Sequence, residues 1–202
     1  MGSYIKPKYM SVSPLYLATN DFYILNPEKP GGQVKLCTRL RGLSFVYFYS
    51  NDCAYCDLFK PIFEELPKEI GGCHFAMINV SDCKQIVKAS TNTTTPIKYV
   101  PYLILYINNT PFMRYDGERE LTSIKKFIFD VAESLQSNNT QCSLSNKEGC
   151  DPASRTLEDM KKDLRSDGDS KQVPSYTGIY RPKNDRENVC FLTLDQAYGP
   201  VN

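Results

Sequence analysis

Two cysteines separated by two residues form the candidate site with the most chemistry. Cys53 and Cys56 stand in the stretch SNDCAYCDLFKP, after an apolar run and at the start of a helical pattern. The free N–H groups and partial positive charge at a helix N-terminus stabilise a thiolate on the first cysteine. The second cysteine lies one turn further on, where it can close a disulfide and release a mixed-disulfide intermediate. The pair is therefore a candidate dithiol for thiol–disulfide exchange.

Two other interpretations of this pair stay open. The first is a zinc site formed by Cys53, Cys56, Cys73 and His74, which is the weaker one because the adjacent Cys73 and His74 lack the usual gap between zinc ligands. The second is a fold that keeps both cysteines as buried thiols with little catalysis. An active dithiol is favoured over both, because the helix dipole acts where the pair stands.

Strands and helices are predicted to alternate up to about residue 136. A β-branched and aromatic run at 43–49, LSFVYFY, predicts a buried central strand. The other predicted elements are strands at 21–25, 33–36, 75–80, 99–107 and 111–117, and helices at 58–66, 83–89 and 121–135.

The predicted organisation has three parts. Residues 1–16 form an N-terminal arm, within an irregular region that reaches residue 20. Residues 17–136 form an α/β domain, and residues 137–202 form a polar C-terminal extension. The extension contains one helix, at 152–165, and a tail strand in NVCFLTL.

Three features beyond the cysteines carry a resemblance to a known family. Pro61 lies five residues after Cys56, Val100-Pro101 begins a long strand, and Asp116-Gly117 precedes the last amphipathic helix. The stretches FVYFYSNDCAYCDLFKP, YVPYLILY and RYDGERELTSIKKFI together resemble the thioredoxin superfamily in content, order and spacing.

The resemblance implies a thioredoxin fold, a central mixed β-sheet flanked by helices, and thiol–disulfide oxidoreductase activity on protein disulfides. It implies that Cys53 attacks and Cys56 resolves, and that Pro61 kinks the active-site helix. The family's proline that matches Pro101 has a cis peptide bond. With Tyr55 and Val100, Pro101 is expected to contact substrate. The alternative is a redox-weak binding or structural module.

Several positions depart from the family pattern. Thioredoxins have a buried acid and a nearby lysine where Tyr47 and Met77 stand here, so both halves of a charged pair are replaced together. This is coherent, because one buried charge without its partner costs several kcal/mol. The carboxylates of Asp52 and Asp57 flank the cysteines and oppose a thiolate on Cys53. We therefore expect a slow, reducing-leaning dithiol.

The ends of the chain carry a narrower resemblance. The N-terminal arm, the stretch LRGLSFVYFYS and the tail CFLTLDQAYGP resemble thioredoxin-like proteins of large cytoplasmic DNA viruses. This resemblance implies packaging in a virion.

Composition limits the partners. The 24 basic and 23 acidic side chains give a net charge of +1, which disfavours binding to nucleic acid or an anionic membrane. Neither a signal peptide nor a transmembrane run is predicted, so we expect a cytoplasmic location. The expected partners are protein disulfides or dithiols and a redox partner, without a metal or organic cofactor.

The remaining cysteines are interpreted as structural. Cys37, Cys73 and Cys83 are expected to be buried small hydrophobes rather than resolving thiols. Cys190 is interpreted as a packing residue that docks the tail. Cys142 and Cys150 are either a disulfide or two free thiols, and the single histidine, His74, is expected at a strand edge.

Overall fold

The computed structural model describes residues 13–144, 172–176 and 188–192, with the side chains of the last helix described up to residue 135. Its strands are β1 (Leu15–Tyr16), β2 (Phe22–Leu25), β3 (Lys35–Thr38), β4 (Leu43–Tyr49), β5 (Cys73–Asn79), β6 (Tyr99–Val100), β7 (Tyr102–Ile107), β8 (Thr110–Tyr115), β9 (Ser175–Tyr176) and β10 (Cys190–Phe191). Its α-helices are α1 (Ala54–Glu69), α2 (Lys84–Ser90) and α3 (Leu121–Leu144), and Thr19–Asp21 form a 3₁₀-helix.

Six strands form the main sheet in the order β1-β5-β4-β7-β8-β9. Strand β4 runs parallel to β5 and antiparallel to β7, and β8 is antiparallel to β7 and parallel to β9. The sheet is therefore mixed, as the sequence predicts. Two smaller two-stranded sheets pair β2 with β3 and β6 with β10.

The two faces of β4 contact different partners, because successive side chains of a strand point to opposite sides. On one face the ring of Phe45 lies 5.9 Å from those of Phe63 in α1 and Phe127 in α3. On the other face Phe48 lies 5.7 Å from Phe22 in β2. Covered on both sides, β4 is buried along nearly its whole length, so its carboxyl end holds the start of α1 on a rigid support.

The helices cover the sheet as their apolar spacing predicts. Helices α1 and α3 contact each other on the Phe45 face, whereas α2 contacts β3. The prediction of a central mixed sheet with flanking helices is confirmed. The predicted strand at 99–107 is divided at Pro101 into β6 and β7, because proline cannot donate to a strand ladder.

The two ends differ from the predicted irregular arm and separate extension. Leu15 and Tyr16 form an edge strand parallel to β5, a two-residue element too short to leave a periodic signal. Ser175 and Tyr176 return to the main sheet as β9. The predicted helix at 152–165 and the Cys142–Cys150 question lie outside the described residues and side chains, and the three-part division stays a prediction.

Candidate dithiol site

Cys53 forms a disulfide with Cys190 of the C-terminal tail. Cys53 is the residue that precedes the first turn of α1, and its Cα atom lies 5.9 Å from that of Cys190. Cys56 is not in a disulfide. Cys190 packs against the core and docks the tail as the sequence predicts, but it does so through a covalent bond to the cysteine expected to act as the nucleophile, which the sequence does not predict.

The tail reaches Cys53 as an added strand. Strand β10 is antiparallel to β6, with Cys190 opposite Val100 and Phe191 opposite Tyr99. The backbone N–H of Leu192 donates to the carbonyl of Lys98 at 3.0 Å and continues this pairing. The Sγ atom of Cys53 lies 3.6 Å from the carbonyl oxygen of Val100. The tail thus occupies the backbone edge beside Cys53.

Side chains hold the tail on both sides of Cys190. Arg119 donates from Nη1 to the carbonyl oxygen of Asn188. The ring of Phe191 meets that of Tyr99 edge-on, with 6.1 Å between the centroids. With this segment in place, the exposed fraction of Cys53 is 1%.

Cys56 is a buried thiol at the base of the site. Its backbone N–H donates to the carbonyl of Cys53 at 2.8 Å, so the two cysteines share the first turn of α1. Burial raises the pKa of Cys56 above its ordinary value. Hydrogen bonding with the Ser50 backbone and with Tyr47, and the positive charge of Arg119, act in the opposite direction. Cys56 is therefore mainly a neutral thiol at pH 7.

Tyr47 and Met77 replace the charged pair with buried neutral side chains. They are opposite each other in the register of β4 and β5, and both are fully buried. The Tyr47 hydroxyl donates to the carbonyl oxygen of Cys56 at 3.1 Å, and burial raises the pKa of this phenol far above its ordinary range. Tyr47 therefore acts as a hydrogen-bond donor to the backbone of the site, not as a base.

Arg119 is the functional candidate that the sequence analysis missed. It stands four residues after Tyr115, the last residue of β8, and its positive charge lowers the pKa of Cys56 and of Tyr47. Burial lowers the pKa of its own guanidinium, but an arginine stays charged at neutral pH. The only sequence signal was a basic residue near the Asp116-Gly117 break.

The two flanking carboxylates lie at the surface. Asp52 accepts a hydrogen bond from the Ser81 hydroxyl at 3.4 Å. Asp57 raises the pKa of Cys56, although it contributes less than burial. Tyr55, a predicted substrate contact, is 38% exposed on the first turn of α1.

The two prolines lie where the sequence places them. Pro61 is inside α1 and has no N–H, so the carbonyl of Asp57 cannot receive the usual helical hydrogen bond from residue 61. The kink stays a prediction. The Val100–Pro101 peptide bond is cis, as the family resemblance implies, and Val100 is buried beside Cys53.

The other described thiols, Cys37, Cys73 and Cys83, are not in disulfides. Cys37 and Cys73 are buried as expected, and burial raises the pKa of Cys73 to about 12. Cys83 is only half-buried, and His74 is exposed within β5. Among the side chains that the structure describes, no three of the types His, Cys, Asp and Glu are grouped as a metal site requires.

A Cys-x-x-Cys pair at the start of a helix, beside a cis proline and a β-edge, is the arrangement of a thioredoxin-type site. A family model described as Thioredoxin matches residues 37–130. Uncharacterized protein 196R of Invertebrate iridescent virus 6 is 36% identical over 58% of this chain and 70% of its own length. Uncharacterized protein 020R of Invertebrate iridescent virus 3 is 30% identical over 77% of this chain and 78% of its own length. The chain belongs to the thioredoxin superfamily, has the thioredoxin fold and has relatives in iridescent viruses.

Solved structures similar to this chain include three thioredoxin-like proteins. Human ERp44 is 24% identical with a TM-score of 0.38, and the match covers 44% of this chain but only 27% of that chain. The Trx4 domain of ERdj5 is 19% identical with a TM-score of 0.46, covering 60% of this chain and 97% of that domain. A mutant thioredoxin from Halobacterium salinarum NRC-1 is 17% identical with a TM-score of 0.45, covering 60% and 93%.

None of the helices in the described ranges combines the length and the apolar character that crossing a membrane requires.

Proposed function

We propose that this protein catalyses thiol–disulfide exchange with protein disulfides, with Cys53 as the attacking and Cys56 as the resolving cysteine. The observation that carries the proposal is the position and bonding of the Cys53 sulfur. This sulfur is engaged in a disulfide at the N-terminus of α1, beside the backbone edge at Val100 with which the tail pairs, and one turn from a free thiol at Cys56. This arrangement places a nucleophile, a resolving thiol and a peptide-binding edge together.

In the proposed reaction, the Cys53 thiolate attacks one sulfur of a client disulfide. The client S–S bond breaks, a Cys53–client disulfide forms, and the other client sulfur leaves as a thiolate that takes a proton from water. Cys56 then loses its proton and attacks Sγ of Cys53. A Cys53–Cys56 disulfide forms and the client leaves reduced, so the two electrons that reduce the client come from the dithiol.

The substrate-binding wall in this proposal consists of Tyr55, Val100 and Pro101. The backbone of Val100 pairs with an extended client segment, as β6 pairs with β10 in the structure. Tyr55 offers an exposed aromatic surface between the two cysteines in the sequence.

The redox partner that returns the site to the dithiol would be a reductase, glutathione or another dithiol, with no metal or organic cofactor. We propose the cytoplasm as the compartment. Relatives in two iridescent viruses support a viral setting, in which a virion is a second location for the protein.

Insulin reduction with dithiothreitol as electron donor tests the proposal. We expect the wild type to accelerate precipitation of the insulin B chain, and Cys53→Ser to reduce the rate to that of dithiothreitol alone. Cys83→Ser, which removes a half-buried thiol outside the site, is the matched control and should keep the wild-type rate. If wild type and Cys53→Ser both reduced insulin only at the rate of dithiothreitol alone, the proposed catalytic activity would be rejected.

That rejection would favour the second candidate, a redox-weak binding or structural module. The specific observation behind it is that the tail covers the peptide-binding edge and leaves Cys53 almost without exposed surface. In this case the arm and the extension would make the partner contacts.

A further inference from the structure

We propose that Cys190 is a third redox-active cysteine and that residues 188–192 are a built-in substrate, which competes with client proteins for Cys53. The proposal rests on the proposed function of the dithiol. It goes beyond that function because it assigns a chemical role to the tail and a second disulfide partner to the nucleophile.

The first argument is the covalent connectivity. Cys53 and Cys190 are separated by 137 positions in the chain and are nevertheless joined by a disulfide, while the nearby Cys56 remains a thiol. A structural disulfide would leave the nucleophile without function. The Cys53–Cys190 disulfide is instead exchangeable, because the thiol of Cys56, which can open it, lies one helical turn from Cys53.

The second argument is the way in which the tail binds. Strand addition to an exposed backbone edge is a general mode of peptide recognition, in which main-chain hydrogen bonds supply affinity. The tail uses it fully, since Cys190 is opposite Val100, Phe191 is opposite Tyr99 and Leu192 donates to the Lys98 carbonyl. A client cysteine that paired with the same backbone edge of β6 would meet the same atoms.

The third argument is that the tail has contacts of its own around the exchanging sulfur. Arg119 holds the carbonyl of Asn188, and Tyr99 contacts the ring of Phe191. Phe191 is nevertheless 55% exposed, and its two neighbours in the chain are only partly buried against the core, so this segment lies at the surface. A surface strand held by a few contacts can leave the edge of β6 when its disulfide is opened.

The exchange conserves electrons. The thiolate of Cys56 attacks Sγ of Cys53, the Cys53–Cys56 bond forms, and the Cys53–Cys190 bond breaks. Cys190 leaves as a thiolate and takes a proton from water, so one disulfide and one thiol are present before and after the step. In the reverse direction, Cys190 attacks Cys53, Cys56 leaves and takes up a proton to become a thiol, and the tail again covers the backbone edge of β6.

The consequence is competition within one molecule. A tethered occupant acts at an effective concentration on the order of millimolar, whereas a client at micromolar concentration meets the site far less often. Cys190 therefore meets Cys53 more often than a client does. A client disulfide gains access only after reduction releases the tail and leaves Cys53 as a thiolate, because attack by Cys56 keeps Cys53 in a disulfide.

Disulfide mapping of the oxidised full-length chain is the primary test. Free thiols are alkylated at low pH, the chain is digested without reduction, and the disulfide-linked peptides are identified by mass spectrometry. We expect a Cys53–Cys190 cross-link with Cys56 free in the wild type, and complete loss of that cross-link with a new Cys53–Cys56 cross-link in Cys190→Ser. The variant Cys56→Ser should keep the Cys53–Cys190 cross-link.

Insulin reduction separates this proposal from the proposed function. We expect Cys190→Ser to be faster than wild type at micromolar insulin, with the difference shrinking as insulin is raised. Phe191→Ala, which keeps all the cysteines, should lie between the two, and Cys83→Ser should match wild type.

Two outcomes overturn the tail proposal while the enzyme stands, provided that insulin is reduced in a Cys53-dependent way. These are an oxidised wild type with a Cys53–Cys56 cross-link and free Cys190, or equal insulin rates for wild type and Cys190→Ser at every insulin concentration. If the mapping shows Cys53–Cys190 and neither wild type nor Cys190→Ser reduces insulin, the proposed enzyme fails and the exchange role assigned to Cys190 fails with it.

Discussion

The hydroxyl of Tyr47 donates a hydrogen bond to the carbonyl oxygen of Cys56 across 3.1 Å, inside a site where both residues are buried. The family position that carries an ionisable acid thus carries a neutral donor here. It ties the central strand β4 to the first turn of α1, so the strand and the resolving cysteine keep a fixed relation.

The first prediction concerns this contact. Tyr47→Phe keeps the ring packing against Phe59 and Phe63 and removes the hydroxyl that donates to the Cys56 carbonyl. We expect the free energy of unfolding to fall by about 1 kcal/mol, because one buried hydrogen bond is lost. Since Tyr47 also lowers the pKa of Cys56, that pKa should rise and resolution should slow. Urea unfolding and the pH dependence of Cys56 alkylation in the variant Cys53→Ser, with and without Tyr47→Phe, measure the two effects.

An unchanged Cys56 pKa in the Tyr47→Phe background would show that the hydroxyl serves the backbone alone.

The second prediction concerns the pH dependence of resolution by Cys56, which the charges of Arg119 and Asp57 should shift in opposite directions. Burial raises the pKa of Cys56 above its ordinary value, so its thiolate fraction and the rate of resolution are still increasing as the pH passes about 9. Arg119 lowers this pKa, so Arg119→Gln should move the rate profile to higher pH and Arg119→Lys should restore part of the shift. Asp57 raises the pKa, so Asp57→Asn should move the profile to lower pH.

Stopped-flow release of a fluorescent peptide from its mixed disulfide with Cys53, followed from pH 6 to 10 in a Cys190→Ser background, measures these profiles. Because Arg119 also contacts the tail, this background removes the effect of tail release. Parallel profiles for Arg119→Gln and Asp57→Asn would contradict the electrostatic account.

Much of the fold could be predicted because local sequence patterns determine its main strands and helices. The apolar run of β4 and the three-and-four spacing of α1 identify those elements without help from distant residues. The site pair could be predicted for the same reason, since Cys53 and Cys56 are neighbours in sequence and their helix N-terminus follows from the pattern.

What could not be predicted depends on contacts between distant parts of the chain. Strands β1, β9 and β10 have two residues each, too few for an alternating pattern, and they exist because an edge is available to pair with. The charge of Arg119 acts on Cys56 only in the folded chain, because the two residues are far apart in the sequence. The partner of Cys53 among eight cysteines has no signal in spacing, because connectivity is a property of the folded chain.

The third prediction tests whether the positions of Tyr47 and Met77 can hold a charged pair in place of the two neutral side chains. Tyr47→Asp buries a carboxylate and removes ring contacts, so we expect a loss of several kcal/mol in the free energy of unfolding. Adding Met77→Lys places an ammonium opposite it in the register and should recover roughly 1–3 kcal/mol of that loss. A double-mutant cycle from urea unfolding gives the coupling energy, with Tyr47→Phe combined with Met77→Lys as the control without a carboxylate.

If Met77→Lys destabilised the protein equally in the Tyr47→Asp and Tyr47→Phe backgrounds, no charged pair could form at this register.

The fourth prediction concerns the anchor that precedes the reactive part of the tail. Tyr176 of β9 packs on Phe127, with 4.6 Å between the ring centroids, and its hydroxyl donates to Asp130. While β9 is docked on β8, residues 177–187 alone connect this anchor to the segment that carries Cys190. Releasing the anchor lengthens the tether, and a longer tether lowers the effective concentration of Cys190 at Cys53.

Tyr176→Ala should therefore lower the ratio of Cys53–Cys190 to Cys53–Cys56 cross-link by less than about twofold at equilibrium in a glutathione buffer. The effect is small because the backbone bonds of Val173 and Pro174 still hold the chain close to Tyr176. Tyr16→Ala is the matched control, because Tyr16 is an exposed tyrosine of β1 at the opposite edge of the main sheet. Mass-spectrometric quantification of the two cross-links gives the ratio directly. If the ratio moved equally in both variants, general destabilisation would explain it. A shift confined to Tyr176→Ala means that docking of β9 sets how strongly the tail competes for the nucleophile.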